Sequence, residues 1–302
     1  MITRVTHQST QRTSLANLQA NLTKMANLQA QASSGKLITK ASDDPAKAAD
    51  AMALRKEERA ATQFARNVQD GVSWLNTTDT ALTTSVAFLQ RARDLVVQGA
   101  NTGAMNAESR EAIAVELEGI TRALAGQANT TFLGRSVFAG TADGAAFTET
   151  DGVYTFAGAG GAVERRVGTG TTVRVDTDGS KAFGSDTDPN SADPTVFAVL
   201  SDIVKTLRDP NGDVASGIDK IDSRMASMLS QAASVGARTN QLTVAQENLT
   251  TKIMTLKSDI SGVEDIDLAQ TLIELQMQEV AYQAALGATS RVLQPSLLDY
   301  LR

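Results

Sequence analysis

The chain has 302 residues, 28 Lys and Arg against 34 Asp and Glu, a net charge of −6, one histidine and no cysteine. Those counts exclude a disulfide framework, thiol chemistry, thiolate metal sites and a histidine metal cluster, and an acidic chain without basic-aromatic clusters argues against nucleic acid as a partner. With one Trp, three Tyr and eight Phe, the composition points to helices joined by small aliphatic side chains along thin seams.

The N-terminus, Met1 to Thr10, has no apolar core of a secretory signal, and no stretch reaches the roughly 18 uncharged apolar residues of a membrane span. The expectation is a chain that is cytoplasmic or exported without a cleaved signal, with no membrane insertion. From about Val5 to Ser33, Leu15, Leu18, Leu22, Met25 and Ala32 keep a heptad step interrupted by Gln29, which predicts the first helix. Its many Gln and Asn amides can bond neighbours without desolvating a charge, so that face suits either solvent or a subunit contact.

Gly35 just past that helix, and Ser42-Asp43-Asp44-Pro45-Ala46 ahead of the next, are stop and start signals. A long helix is predicted from Pro45 to Gly99, with apolar positions that drift around it and Trp74 packed among them. Asn101 to Asn106 reads as a turn, and Ile113, Leu117, Ile120, Leu124 and Ala128 mark a third helix. Asn129 to Thr141 is extended and turn-rich.

The composition changes from Thr141 to Pro194, where glycines, Thr and Asp surround short β-branched runs at Val153–Phe156, Val163–Val167 and Thr171–Val175. Asp151-Gly152 between Phe147–Thr150 and Val153–Phe156 is a hairpin turn signal. A polar loop over Ser185–Pro194, a short helix over Val196–Leu207 and a turn at Asp209–Gly212 follow. Ile218 to Val263 then repeats apolar residues at alternating three- and four-residue steps, broken only at Thr239 and Gln246, which describes one long helix with a narrow seam. A last helical run covers Ile266 to Leu293.

Charge ties the two ends together. Residues 1–42 carry Arg4, Arg12, Lys24, Lys36 and Lys40 and no acid, while residues 264–302 carry Glu264, Asp265, Asp267, Glu274, Glu279 and Asp299 against Arg291 and Arg302. The first and last helices are of similar length, about 43 Å at 1.5 Å per residue. Antiparallel pairing would bring Lys36 and Lys40 to the Glu264–Asp267 acids, a match that sets register more than stability. The predicted fold class is mainly α: an elongated antiparallel coiled-coil or helical bundle with paired N- and C-terminal helices and a small β insert at the tip. The expected domains are 1–42 with 264–302 as a terminal-helix assembly domain, 43–140 with 195–263 as a helical stem, and 141–194 as a small β-rich outer domain.

Candidate chemistry is thin. Asp43-Asp44 ahead of Pro45 fits helix capping better than an acid-base pair. Asp176-Thr177-Asp178-Gly179-Ser180 opens like a calcium loop, but its glycine comes two places early and Thr187 stands where a bidentate Glu is needed, so it reads as a turn. Gly158, Gly160 and Gly161 lack a following Lys-Ser/Thr and read as hairpin turns. His7 has no acidic neighbour in sequence and suits a solvent or interface role. The chain is therefore expected to be no enzyme and to take no cofactor or metal.

What remains is surface. The last helix and tail are apolar on more than one face, and one antiparallel partner covers a single stripe, so the rest must meet other subunits or stay exposed. The expected subunit interface is Leu15, Leu18, Leu22 and Met25 on the first helix. On the last helix and tail it is Leu268, Leu272, Leu275, Val280, Tyr282, Leu286, Val292, Leu293, Leu297, Leu298, Tyr300 and Leu301.

Three segments resemble the flagellin superfamily: Ser33-Ser34-Gly35-Lys36-Leu37-Ile38 leading to Ser42-Asp43-Asp44-Pro45-Ala46, Val235-Gly236-Ala237-Arg238-Thr239-Asn240-Gln241-Leu242, and Val263-Glu264-Asp265-Ile266-Asp267-Leu268-Ala269. Within it, Gly134-Arg135-Ser136-Val137-Phe138-Ala139-Gly140-Thr141 and the tail Gln294-Pro295-Ser296-Leu297-Leu298-Asp299-Tyr300-Leu301 are similar to the branch that joins hook to filament. The resemblance implies a structural protein exported unfolded through the flagellar type III apparatus into the extracellular flagellum. Its implied partners are further copies of itself in a helical ring, the other hook-associated junction protein on the hook side, the first flagellins, and an export chaperone that binds the C-terminal region. It also implies terminal helices that line an inner tube and are disordered in the free subunit. A short filament flagellin is the alternative, and an enzyme carried on a flagellin-like scaffold the more distant one.

Overall fold

The computed structural model describes residues 2–101, 106–209 and 212–293. Among these described residues, seven helices and six strands follow in the order α1 Ile2–Ser34, α2 Pro45–Gly99, α3 Ala107–Ala128, β1 Thr131–Phe132, β2 Arg135–Ser136, β3 Phe147–Thr150, β4 Val153–Phe156, β5 Glu164–Gly168, β6 Thr171–Arg174, α4 Gly179–Phe183, α5 Val196–Arg208, α6 Ser216–Glu264 and α7 Leu268–Leu293. The chain divides into two compact units, one made of residues 1–60 and 252–302, the other of residues 61–251. The fold is mostly helical with small antiparallel sheets, as the periodicities predicted.

The helix ends follow from local chemistry. The Asp44 carboxylate accepts from the amides of Ala46 at 3.1 Å and Lys47 at 3.0 Å, which satisfies donors left over by the first turn, and Pro45 supplies the preset φ of a first helical position. Asp43 instead ties the preceding loop, accepting from the Thr39 hydroxyl at 2.9 Å and from the Lys40 amide at 2.9 Å. Those bonds hold its carboxyl below the usual carboxylate range. Both acids of the Asp43-Asp44 pair are thus occupied by backbone. Asn106 caps α3 and Thr195 caps α5 in the same way.

In the unit of residues 61–251, one heptad row of α6 is buried, with Ile221, Met228, Val235 and Leu242 closed off from solvent, while its companions Met225, Ala232, Thr239 and Gln246 are half-buried. One fully closed row per helix is what a thin seam delivers. Trp74, Leu75, Leu82 and Leu89 of α2, Leu117 and Leu124 of α3, and Leu200 and Leu207 of α5 complete the core. Gly71 permits the approach of α2, because a Cβ there would lie 3.0 Å from Leu242 Cδ1 and 3.1 Å from Val175 Cγ1.

The six strands form three separate two-stranded antiparallel hairpins. Phe147 opposes Phe156 and Thr150 opposes Val153 across the predicted turn, where Asp151 and Gly152 both have positive φ, the geometry of a tight two-residue hairpin loop. Phe147 also packs against Phe183 and Phe197 at ring-centroid distances of 5.7 Å and 5.2 Å. This aromatic cluster supplies the hydrophobic closure that two short strands alone lack.

Two sequence expectations fail here. Asp176–Ser180 is not a plain turn: Asp178 caps α4 through the Ser180 amide. Asp176 is fully buried, and its carboxylate accepts from Arg174 Nε and Nη2 at 2.9 Å and from the Val163 amide at 2.8 Å, so its oxygens are already bonded. Gly158, Gly160 and Gly161 are not hairpin turns either. They lie in the connection between β4 and β5, where Ala159 bridges to Gly140. Gly140 has φ +64, and a Cβ there would collide with the Ala159 carbonyl oxygen, so a glycine is required at that approach.

The seam of α6 makes a testable contrast. Leu242→Ala opens a cavity in a closed row and should lower stability by about 2–5 kcal/mol, whereas Val244→Ala, at an exposed position two residues on, should stay within about 0.5 kcal/mol. Denaturant unfolding followed by the fluorescence of Trp74, the single tryptophan, reads both.

Candidate functional site

The unit of residues 1–60 and 252–302 brings the two ends of the chain together: α1 packs against α7. Where the helices stop, the chain pairs as a short antiparallel bridge between Lys36 and Asp265. The Leu37 amide donates to the Glu264 carbonyl at 2.6 Å and the Ile266 amide to the Gly35 carbonyl at 3.2 Å. Gly35, at φ +69, provides the left-handed turn that ends α1. Asp267 restarts the helix as the cap of α7, accepting from the Gln270 amide at 3.1 Å.

Glu264, the last residue of α6, locks this joint. Its side chain is 6% exposed and accepts from Lys36 Nζ at 2.9 Å and Arg55 Nη2 at 2.5 Å. One carboxylate therefore ties the segment after α1, the first turns of α2 and the α6–α7 junction, and two cations offset its desolvation. Lys36 meets the predicted acid; Lys40 instead bonds through its backbone to Asp43. Arg55 had no signal in the sequence, because nothing in the pattern of α2 separates it from its neighbours Lys56 and Arg59.

Along the helix pair, the covered positions are Ser14, Leu18, Asn21, Met25, Leu28 and Ala32 on α1 and Thr271, Leu275, Gln278, Tyr282, Ala285 and Thr289 on α7. Both rows alternate four- and three-residue steps, the signature of a coiled-coil seam. The phase on α1 differs from the predicted one: Leu15 and Leu22 lie one residue round the helix and are exposed, and Gln29 is exposed as well. The seam itself is half polar, with Gln278 buried and its Nε2 donating to the Asn21 carbonyl and Oδ1, both at 3.3 Å.

Of the residues expected at a subunit interface, Leu18, Met25, Leu275 and Tyr282 are partly covered within the seam, while Leu15, Leu22, Leu268, Leu272, Val280 and Leu286 are exposed. Val292 and Leu293 lie in the last turn of α7, with side chains outside the described residues. Leu297, Leu298, Tyr300 and Leu301 lie outside the described residues altogether, as does the side chain of His7. A row of which the expected set named only Val280 stands out on α7: Ile273, Met277, Val280, Ala284 and Gly287 repeat at four, three, four and three residues, all exposed. Ile273, Met277 and Val280 are 55%, 60% and 67% exposed. At about 100° per residue this row lies roughly opposite the α1-facing one, and Leu268, Leu272 and Leu286 flank the seam on another side. Together these rows leave exposed apolar surface on the helix pair, the kind of surface that marks an interaction site.

The bacterial flagellin N-terminal helical region matches residues 5–143, and the bacterial flagellin C-terminal helical region matches residues 218–301. The chain belongs to the bacterial flagellin family. The matched regions hold α1 to α3 and the β1–β2 hairpin on one side and α6 with α7 on the other, so every residue of the joint and of the seam falls inside them. A flagellin of Bacillus subtilis is 28% identical over 293 residues, 93% of each chain. The flagellar hook-associated protein 3 of Escherichia coli is 24% identical over 278 residues, 85% of this chain and 87% of that one. Among solved structures, a flagellar hook-associated protein 3 of Legionella pneumophila superposes with a TM-score of 0.62 at 16% identity, covering 70% of this chain and 98% of the other.

For a flagellin-family subunit the relevant chemistry is non-covalent packing. No helix among the described residues is long and apolar enough to cross a membrane, and no group of three or more His, Cys, Asp or Glu among them could hold a metal ion. The Glu264 joint predicts a local effect: Glu264→Gln removes the charge that Lys36 and Arg55 share and should weaken the joint by about 1–3 kcal/mol. Hydrogen exchange at the Leu37 and Ile266 amides should speed up accordingly, with amides of the α6 core unchanged.

Proposed function

We propose that this chain is a structural junction subunit of the bacterial flagellum, exported to the cell exterior, where it joins the hook to the filament by assembling through α1 and α7. The observation that carries this reading is the apolar surface of α7 left uncovered by α1: a heptad row from Ile273 to Gly287 and the flanking Leu268, Leu272 and Leu286. A stripe of that spacing is satisfied by another helix, and in a protein of this family the nearest source is a second copy of the chain, packed head to tail so that a ring closes or a tube grows. Residues 1–42 and 264–302 act as the assembly segments, residues 43–140 and 195–263 as a stem, and residues 141–194 as an outer lobe.

The junction role is supported by hook-associated protein 3 relatives that run nearly the whole length of the chain in sequence and by the likeness in fold to another. Its partners are then a hook-side junction protein below and flagellin above. Before export the same apolar rows of α7 need cover, which is the task of a chaperone that binds the C-terminal helix. A second reading, a short filament flagellin, is favoured by the 28% identity to the Bacillus subtilis flagellin. The two readings share the assembly surface and differ in copy number.

Leu286→Glu places a charge in the uncovered surface, where burial against a neighbour costs several kcal/mol. In a strain carrying that variant in place of the wild type, swimming should be lost while the purified variant keeps its helical circular dichroism. Leu229→Glu, at an exposed position of α6, should swim. Wild-type motility of Leu286→Glu would remove α7 from the assembly surface.

A further inference from the structure

A cleft lies between α3, the β3–β4 hairpin and α5, wholly within the unit of residues 61–251. At about 350 Å³ it falls within the range of small-molecule sites, about 300–1,000 Å³. Phe197, Ser201 and Lys205 of α5 line it at four-residue steps, so one face of that helix is turned to it. The hairpin contributes Tyr154 and Glu149, and α3 contributes Arg122. A second hollow, of about 90 Å³, shares Tyr154, Phe197, Ser201 and Lys205, so the two adjoin at those side chains.

The lining joins an aromatic ring to polar groups of both signs. The Tyr154 ring packs on Phe197 with 4.6 Å between centroids and planes 37° apart, and it is half-buried, which leaves part of it on the cleft wall. Its phenol is pushed above the usual tyrosine range by burial and by its hydrogen bond to Glu149, so it stays a protonated donor on that carboxylate. Of the two basic residues of α5, Arg208 is held by Glu111 and Glu118, each at 2.8 Å. Lys205 has no ion-pair partner among the described residues. A free ammonium beside a partly closed apolar wall favours an anion. The Ser201 hydroxyl, the Arg122 guanidinium and the Glu149 carboxylate surround the ring with donors and acceptors, which a hydrocarbon acid would desolvate without pairing. A pyranose satisfies both sets, with its C–H face on the aromatic ring and its hydroxyls at the polar rim. We propose that this cleft binds an acidic saccharide, a uronate whose ring stacks on Tyr154 and whose carboxylate meets Lys205. The site belongs to the unit of residues 61–251 alone and is independent of how α1 and α7 assemble.

The test titrates glucuronate, with glucose as the neutral comparison, against the full-length chain and follows binding by saturation-transfer NMR. Glucuronate should bind saturably and about tenfold more tightly than glucose, the gap expected of one charge-assisted hydrogen bond. Lys205 is exposed, so Lys205→Gln should keep the fold and bring glucuronate down to the affinity of glucose. Tyr154→Leu keeps an apolar contact with Phe197 but removes the flat ring. It should weaken both sugars by a similar factor, with thermal unfolding followed by circular dichroism as the check on its fold. No saturable binding of glucuronate would overturn the proposal, as would a gap that survives Lys205→Gln. Benzoate competing as tightly as glucuronate would make the cleft a site for hydrocarbon acids and overturn it too.

Discussion

A helix can cover only one stripe of a single partner, and α7 carries apolar side chains on three sides. That mismatch governs what the helix pair leaves exposed. The seam with α1 takes up Leu275 and Tyr282 together with a set of polar residues, and leaves Ile273, Met277, Val280, Leu268, Leu272 and Leu286 in water. Apolar area of this kind is costly to keep exposed in an isolated subunit. Under the proposed function, helices of neighbouring copies cover it in the final state.

The two units apportion the work. Residues 61–251 contain most of the closed core: the buried row of α6, the large side chains of α2, α3 and α5, and an aromatic cluster that holds the β3–β4 hairpin. Residues 1–60 and 252–302 contain a thin seam and one locked joint, where Glu264 is shared by Lys36 and Arg55 and the backbone pairs for a single bridge. The joint lets α1 and α6 end and α7 begin at the same place, with the Glu264 and Gly35 carbonyls taken up by the Leu37 and Ile266 amides and Asp267 capping α7. Under the proposed function, in which the subunit is exported and then assembles through α1 and α7, this division is an advantage, because segments that assemble need little packing of their own.

Much of this was legible from spacing and caps. Pro45 and the acids before it marked the start of α2, the heptads of Ile218–Val263 lie within the observed α6, and Asp151-Gly152 was the turn of a real hairpin. The failures share a cause: short or polar features whose partners are distant in sequence. The five-residue α4 was too brief to show a period, and its cap Asp178 looked like any turn residue. The glycines at 158–161 serve a bridge to Gly140, which no local pattern announces. On α1 the leucines at 15 and 22 drew the apparent seam to themselves, while Ser14 and Asn21, which belong to the actual one, are polar. An apolar residue on an assembly helix marks contact of some kind, but it does not say whether the contact lies within the subunit or with its neighbour. The residues expected at the interface beyond Leu293 lie outside the described structure.

The central claim, that this flagellin-family chain seats the filament on the hook, meets its most direct test in electron microscopy of a strain from which it is deleted, with the culture medium probed for flagellin. The account predicts bare hooks and flagellin released into the medium, because the filament subunits are made and exported but have nothing to build on. Bare hooks with no flagellin outside would make the chain the filament protein itself, and normal flagella would contradict the account outright.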